Sequence, residues 1–189
     1  EGFRLSSSFT GLSFSIDEAV GAYLLIEADG FDEAQVNNDI EQIAEVLYRL
    51  NVMDILSAST SEQKAYFWKL RRCIGEATKF GNVYKEEDTV VPRGKLAVLF
   101  TGVKEIAARY GIRTVCYGHA GDGNLHVNIL KDQHEEAFWQ ERVPEAIREI
   151  FILCHSLRGT ISGEHGIGYV HKGYMSVLME EINLELMRK

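Results

Sequence analysis

The amino-acid sequence predicts an α+β fold, a ferredoxin-like sandwich in which helices cover a largely antiparallel sheet. Short apolar runs typical of strands alternate along the chain with longer stretches of helical periodicity. In addition, two apolar runs, residues 112–117 and 125–130, are separated only by a short turn rich in Gly, Asp and Asn. So short a connection requires the two strands to be antiparallel neighbours.

The first third of the chain predicts one helix between two strands. Residues 1–20 are mixed polar and aromatic, and we expect an irregular lead-in there, with residues 21–189 forming the domain. Residues 23–28 form a short apolar run that predicts a buried strand. Asp32 is placed to cap the helix that follows, and residues 53–58 predict a second strand.

The rest of the chain alternates helical and extended patterns. Thr60 with Gln63 forms the sequence of a capping box, which predicts that a helix begins there. The further expected elements are a strand at 86–91, a helix from Pro92 to Gly111, the two strands around the turn, a helix at 134–157 with a break at Pro144, an irregular glycine-rich stretch at 160–174 and a final helix from about Ser176.

Composition excludes several classes of protein. The chain carries 28 acidic and 20 basic residues, and an acidic protein does not attract nucleic acid or an anionic membrane. No apolar run approaches the roughly 18 residues that a membrane span needs, and no signal peptide is visible. The three cysteines lack metal-site spacing, so we expect buried thiols in a cytoplasmic protein. The chain starts with Glu1 and stops inside a helical pattern, so we expect it to belong to a longer polypeptide.

The turn at residues 117–126 is the first candidate site. Glycines in the turn permit a tight reversal, which brings His119 close to His126. In the strand that follows, apolar residues alternate with His126 and Asn128, so these two side chains share one face of the strand. We expect that face to be open. Asp122 and Asn124 are expected to cap the turn through their own backbone.

Residues 162–168 form the second candidate site, a loop with three glycines around Glu164 and His165. Two histidines and one carboxylate make a three-ligand set with open coordination positions, which suits zinc, manganese or iron in a catalytic site. If Glu164 is the third ligand, His165 is left free as a base. Taken alone, a histidine at the position of His119 is more often a hydrogen-bonded turn residue, and a glutamate at the position of Glu164 is usually a solvated loop charge. The other histidines, His134, His155 and His171, are expected to be structural or surface residues.

These two motifs resemble the C-terminal domain of FAD-linked 2-hydroxyacid dehydrogenases. That group includes the glycolate oxidase flavin subunit, D-lactate dehydrogenase and D-2-hydroxyglutarate dehydrogenase, within the vanillyl-alcohol oxidase superfamily. The resemblance extends over residues 67–71 and 88–92 and runs from about Tyr23 to the end of the chain.

The resemblance implies a role for seven residues. It implies His119, His126 and Glu164 as metal ligands and His165 as the general base. It further implies Arg71, Asn128 and Lys85 as substrate-binding residues, although the spacing from Lys85 to Pro92 differs from the family pattern by one residue. Gly75 stands where the hydroxyglutarate enzymes carry a threonine, which favours a lactate- or glycolate-like acid.

The function implied is oxidation of a D-2-hydroxy acid to the 2-keto acid, with hydride transfer to flavin. FAD would be bound mainly by a domain that precedes this one, and the divalent metal would be zinc, with manganese and iron as alternatives. The partners are then a small 2-hydroxy acid and an undefined electron acceptor, with no nucleic acid and no transmembrane segment; a homodimer is compatible. The expected location is cytoplasmic, or peripheral to the inner membrane in the full-length protein.

Two functions from other classes remain open from the residues themselves. A metal-dependent hydrolase also uses two histidines, one glutamate and a nearby base, because this set activates water. A non-catalytic ferredoxin-like module, in which the turn is purely structural, would need none of that chemistry.

Overall fold

The computed structural model describes all 189 residues and contains nine α-helices and one three-stranded antiparallel sheet. The helices are α1 (Gly2–Thr10), α2 (Glu33–Arg49), α3 (Ser61–Arg72), α4 (Ile74–Lys79), α5 (Leu96–Tyr110), α6 (Glu136–Ser156), α7 (Gly168–His171), α8 (Met175–Leu178) and α9 (Glu181–Met187). The strands are β1 (Tyr84–Val90), β2 (Arg113–His119) and β3 (Asn124–Leu130), and short 3-10 turns lie at Arg93–Lys95, Ala120–Asp122 and Lys172–Tyr174. The predicted α+β class with an antiparallel sheet is confirmed.

The central strand is β3, which pairs with β1 on one side and β2 on the other. Its alternation separates two faces, as predicted. Leu125, Val127 and Ile129 belong to the main hydrophobic core with the buried sides of α5 and α6. His126 and Asn128 face the other way, and we call that side the site face. Asp88 on β1 and Tyr117 on β2 are the register partners of His126.

A second helical layer covers part of the site face. The hydroxyl of Ser6 in α1 donates to the Leu70 carbonyl at the buried α1–α3 contact, and Lys79 of α4 reaches Glu86 of β1. The ring of His165 stacks on His126 on the same face. His126 is only 5% exposed and Asn128 is fully buried, so the prediction that this face is open was wrong at these two positions. Alternation along a strand separates its two faces but does not reveal what packs on each.

Local signals at the helix ends are confirmed. Asp32 accepts a hydrogen bond from the Ala34 amide, and Thr60 with Gln63 forms the predicted capping box. Gly111 ends α5 in the left-handed conformation with φ 66°. These signals involve neighbours in the chain, so they do not depend on tertiary packing.

Three predictions in the first third were wrong. Residues 23–28 and 53–58 form no strand, and α1 replaces part of the expected irregular lead-in. Tyr23 packs edge-on against Phe3 of α1 and Phe14, while Leu24 stays 63% exposed. A strand needs a neighbouring strand to satisfy its backbone groups, and these apolar segments do not pair with the sheet.

The predicted break at Pro144 was also wrong, because α6 continues through this residue. The buried face of α6, which includes Val143 and Ile147, packs into the main core beside α5. That burial offsets the hydrogen bond that a proline removes from a helix, a loss of about 3 kcal/mol. All three cysteines are free, with Cys154 buried and Cys73 and Cys116 partly exposed. None of the helices combines the length and apolarity that crossing a bilayer requires.

Candidate active site

The β2–β3 turn brings the two predicted histidines together. The chain reverses through the 3-10 turn Ala120–Asp122 and then Gly123, whose φ is 74°. The Gly123 carbonyl accepts from the Val91 amide at 3.0 Å, and a Cβ at this glycine would lie 1.9 Å from the Val91 carbonyl oxygen. Glycine is therefore required here by backbone conformation and by space. The ring centroids of His119 and His126 lie 6.1 Å apart.

The loop between α6 and α7 supplies Glu164 and His165 to the same place. Glu164 Oε1 lies 3.6 Å from His119 Nε2. The ring of His165 stacks on that of His126, with 5.0 Å between centroids and 27° between planes. Candidate residues about forty positions apart in the sequence therefore converge on one site, and the His165 side chain makes no hydrogen bond there.

Two sets of donor atoms at this site could hold a metal. Candidate ligand atoms of His119, His126 and Glu164 lie within 4.8 Å of one another, and so do those of Glu86, His126 and His165. In the second set, both Glu86 oxygens are engaged, one by Lys79 Nζ at 2.7 Å and one by the Tyr117 hydroxyl at 3.1 Å. The set of His119, His126 and Glu164 is the better candidate, because no such hydrogen bonds engage the Glu164 carboxylate.

The environment of His126 favours the neutral imidazole that binds metals. Burial lowers the pKa of His126, against the smaller opposing effect of the nearby Asp88 carboxylate. Its Nδ1 atom is buried without a hydrogen-bond partner and lies 3.7 Å from Asp88 Oδ1. A carboxylate that faces one ring nitrogen of a ligand histidine, leaving the other for the metal, is a recurrent feature of metal sites.

Asp88 is a site residue that sequence reasoning missed. Its Oδ2 accepts from the backbone amides of Gly163, Glu164 and His165, and its Oδ1 accepts from the Asn124 side-chain amide. Burial raises the pKa of Asp88, but these donated hydrogen bonds outweigh it, and the pKa lies below its usual value. The expectation that Asn124 caps its own turn was wrong, since its amide donates to Asp88 and to the Thr89 carbonyl.

Glu86, Lys79 and Tyr117 form a second polar group on the site face that was not predicted. Burial raises the pKa of Glu86, but the hydrogen bond and positive charge of Lys79 lower it more, so the Glu86 pKa falls below its usual value. Burial, and then the Glu86 charge, raise the pKa of Tyr117. The signal available in the sequence was the spacing of Glu86 and Asp88 two residues apart in a strand, which puts both on one face.

The three predicted substrate-binding residues have different positions. Arg71 lies beside the turn, where Nη2 donates to the Gly118 carbonyl at 2.9 Å and the guanidinium carbon lies 5.7 Å from the Tyr117 ring centre. Asn128 lies on the site face, and neither polar atom of its side chain has a hydrogen-bond partner. Lys85 pairs with Ile129 and lies over Trp139 of α6, on the opposite face of the sheet. The strand alternation therefore directs Lys85 away from the site.

Of the histidines left outside the site, His134 contacts the Gly111 carbonyl at 3.0 Å and His155 is exposed. His171 of α7 has a partner that the sequence did not reveal, because its Nε2 lies 2.8 Å from Oε2 of the buried Glu87. Glu87 is on the core face of β1, so this ion pair is separate from the metal-ligand candidates.

Comparison with known proteins identifies the family. Residues 2–189 match the family of FAD linked oxidases, C-terminal domain, and the chain belongs to this family. It is 34% identical to a D-lactate dehydrogenase of Anaerostipes hadrus over 89% of the chain and 36% of that protein. It is 33% identical to the glycolate oxidase subunit GlcD of Bacillus subtilis over 88% of the chain and 35% of that protein. A D-lactate dehydrogenase of Archaeoglobus fulgidus is 35% identical over 89% of the chain and 35% of its length. The chain thus spans about a third of the relatives it matches.

Proposed function

We propose that this chain is the substrate- and metal-binding domain of an FAD-dependent oxidoreductase that oxidises a lactate- or glycolate-like D-2-hydroxy acid to the 2-keto acid. The observation that carries the proposal is the convergence of His119, His126 and Glu164 beside a free His165. Relatives named D-lactate dehydrogenase and glycolate oxidase support the substrate class.

The residues present fit a divalent metal. Two imidazoles and one carboxylate offer a borderline-soft set that leaves coordination positions open for substrate, as zinc, manganese and iron accept. The position of Asp88 Oδ1, 3.7 Å from His126 Nδ1, supports the assignment, since a carboxylate on one ring nitrogen leaves the other ring nitrogen for the ion. His119, His126 and Glu164 would hold the ion.

Each remaining residue has a defined task. When bound, the metal would lower the pKa of the substrate hydroxyl, and FAD would take the hydride from C2. His165 accepts the hydroxyl proton as C2 loses its hydride, so the alcohol at C2 becomes a carbonyl group. Arg71 binds the substrate carboxylate with the guanidinium nitrogens that its contact to Gly118 leaves free. The family resemblance assigns Asn128 to the substrate, but this side chain is fully buried, so it would reach the substrate only after the layer that covers it moves; Lys85 has no part.

Gly75 supports the smaller substrates. A Cβ at this position would lie 3.1 Å from the Tyr117 hydroxyl, so there is little room for a side chain between α4 and β2. No hydroxyl is offered there to a second substrate carboxylate. We therefore expect D-lactate and glycolate to be better substrates than D-2-hydroxyglutarate.

The metal assignment is tested by binding measurements on the full-length protein that carries this chain. We expect His126→Ala to weaken zinc affinity by at least about 100-fold, because one of three protein ligands is lost. His134→Ala is the matched control, since His134 lies away from the site. Equal zinc affinity in wild type and His126→Ala would contradict the metal site and favour the non-catalytic module.

The reaction is tested separately with a panel of D-2-hydroxy acids. We expect D-lactate or glycolate to bleach the oxidised flavin absorbance under anaerobic conditions, and a dye acceptor to sustain turnover. A protein that binds zinc but no flavin, and that hydrolyses esters or amides in a metal-dependent manner, would instead be the hydrolase.

A further inference from the structure

The buried carboxylate of Asp88 joins the three parts of the candidate site. Its Oδ2 atom accepts three consecutive backbone amides, from Gly163 at 2.8 Å, Glu164 at 2.6 Å and His165 at 2.9 Å. Its Oδ1 atom accepts from Asn124 Nδ2 at 2.7 Å and lies 3.7 Å from His126 Nδ1. Asp88 is 2% exposed, so water does not compete for these contacts.

Asp88 is the hydrogen-bond acceptor for the backbone of the loop that carries Glu164 and His165, while the preceding Ile161 is buried in the main core. The amides of Gly163, Glu164 and His165 donate to no backbone carbonyl, and Asp88 Oδ2 is their acceptor. The nearest backbone tie is the two-way hydrogen bonding between Val90 and Thr160, at 2.8 and 2.9 Å. The hydrogen bonds that place the Glu164 backbone relative to His119 therefore come from one side chain of β1.

Close packing at Gly163 keeps the loop against this carboxylate. A Cβ there would lie 2.6 Å from Val90 Cγ2, 2.7 Å from Asn124 Nδ2 and 3.0 Å from Asp88 Oδ1. Glycine allows the backbone to approach β1 closely enough for three amides to share one oxygen.

We propose that Asp88 is a positioning residue for the metal site, one that sets both sides of the ligand set at once. Through Oδ2 it fixes the loop that presents Glu164, and through Oδ1 it orients the ring of His126. The inference rests on the proposed function, because it takes His126 and Glu164 as ligands. Asp88 itself touches neither metal nor substrate in this scheme.

The role requires a group that only accepts hydrogen bonds. An asparagine at position 88 keeps one acceptor oxygen for the three loop amides but replaces the charged Oδ1, which faces Asn124 Nδ2 and His126 Nδ1, with an NH₂ donor. An asparagine with the opposite orientation places NH₂ against the loop amides. In either orientation, one of the two sides of the ligand set, the loop with Glu164 or the ring of His126, is held less firmly. All three ligand residues are nevertheless still present in the variant.

The test compares Asp88→Asn with wild type in the full-length protein. We expect zinc affinity, measured by competition with a chromophoric chelator, to fall by about 10–100-fold. We also expect the absorption spectrum of the cobalt-substituted protein to change, because that spectrum reports ligand geometry. Asp29→Asn makes the same chemical change at an exposed position and should leave both readouts unchanged. Unaltered zinc affinity and cobalt spectrum in Asp88→Asn, even with lowered stability, would overturn the proposal.

If Asp88→Asn does not fold, a second variant still tests the positioning role of Asp88. Gly163→Ala pushes the loop away from Asp88 without removing the carboxylate, and we expect the same loss of zinc affinity. Wild-type zinc affinity in this variant would count against the role of Asp88.

The variant His126→Ala separates the two proposals. If it weakens zinc binding while Asp88→Asn and Gly163→Ala do not, only the positioning role fails. If His126→Ala has no effect, the metal site itself fails.

Discussion

At the residue scale, the polar side chains of the site divide into those already engaged by neighbours and those left free. The Glu86 carboxylate already accepts hydrogen bonds from Lys79 and Tyr117, and the Asp88 carboxylate accepts them from the loop amides. The side chain of His165 is free, and Asn128 has an unpartnered amide. The acid–base and substrate-binding roles that we propose fall on the second group, because a free group can change partners during a reaction.

Arg71 gives a prediction at this scale. One guanidinium nitrogen donates to the Gly118 carbonyl, and this hydrogen bond holds the Arg71 side chain beside His119. The other guanidinium nitrogens remain free to bind a carboxylate. A lysine has a single nitrogen and no planar pair of N–H donors for a bidentate contact with a carboxylate, so Arg71→Lys should lower kcat/KM for the 2-hydroxy acid by about 10–100-fold.

The neighbouring arginine provides the control for that measurement. Arg72 stacks over the Trp68 ring, and its guanidinium carbon is 4.9 Å from the ring centre. Arg72→Lys keeps the charge and should change kcat/KM by less than about threefold. Similar losses in both variants would show that Arg71 has no special role in binding substrate.

At the element scale, the β2–β3 turn is the part of the fold that the site depends on most. It sets the separation of His119 and His126, and it packs against the segment that follows β1 through the Val91–Gly123 hydrogen bond. Gly118 is constrained as well, since a Cβ there would lie 2.2 Å from the Asn124 carbonyl oxygen. The turn is therefore specified by space as well as by backbone conformation.

Two glycines in this turn make a matched pair for mutagenesis. Gly123→Ala introduces a left-handed alanine and a clash with the Val91 carbonyl oxygen, so the free energy of unfolding should fall by more than about 2 kcal/mol. Gly121→Ala meets no atom within 4 Å and should cost less than about 1 kcal/mol. Urea unfolding of the two variants measures the difference, and equal costs would mean that the turn can relax around Gly123.

At the scale of the whole molecule, the sheet is tied on both faces to segments distant in sequence. On the site face, Asp88 holds the 163–165 loop. On the core face, Glu87 pairs with His171 and so fastens α7 to β1. Adjacent residues of one strand thus anchor two parts of the C-terminal region, one on each side of the sheet.

The Glu87–His171 pair predicts a pH dependence of stability. Contact with the Glu87 carboxylate raises the pKa of His171, and burial raises the pKa of Glu87. Both groups bind their protons more tightly in the folded state than in the unfolded state. Their contribution to the free energy of unfolding is therefore fully present below the unfolded-state pKa values and is lost as the pH rises through the folded-state pKa values. Relative to the double variant Glu87→Gln/His171→Gln, the wild type should lose stability as the pH rises above about 4.3, the ordinary Glu value, and should continue to lose it above about 6.5, the ordinary His value, until both groups have lost their protons.

Urea unfolding followed by tryptophan fluorescence at several pH values, with Trp68→Phe in both proteins so that Trp139 is the reporter in this chain, measures this difference. Trp139 is 4% exposed and belongs to the main core, so its emission reports unfolding of this part of the molecule. A difference between the two proteins that stays constant or increases with pH would contradict the prediction.

The sequence by itself determined the α+β class, the helix caps, the β2–β3 turn and the residues that meet there. Each depends on neighbours in the chain: Thr60 on Gln63, the turn on its glycines, His126 and Asn128 on the alternation of one strand. The loop residues Glu164 and His165 were found because a carboxylate and an imidazole among glycines are distinctive without any structure.

Only the tertiary structure decided which strands form and which groups hold the site in place. Residues 23–28 have the composition of a strand, but a strand exists only if another strand accepts its hydrogen bonds. Lys85 lies one residue from Glu86, and that single step puts it on the opposite face. Asp88 reaches its loop partners about 75 residues later in the chain. Such contacts depend on how β1 and the loop pack together, and no local pattern of residues specifies that.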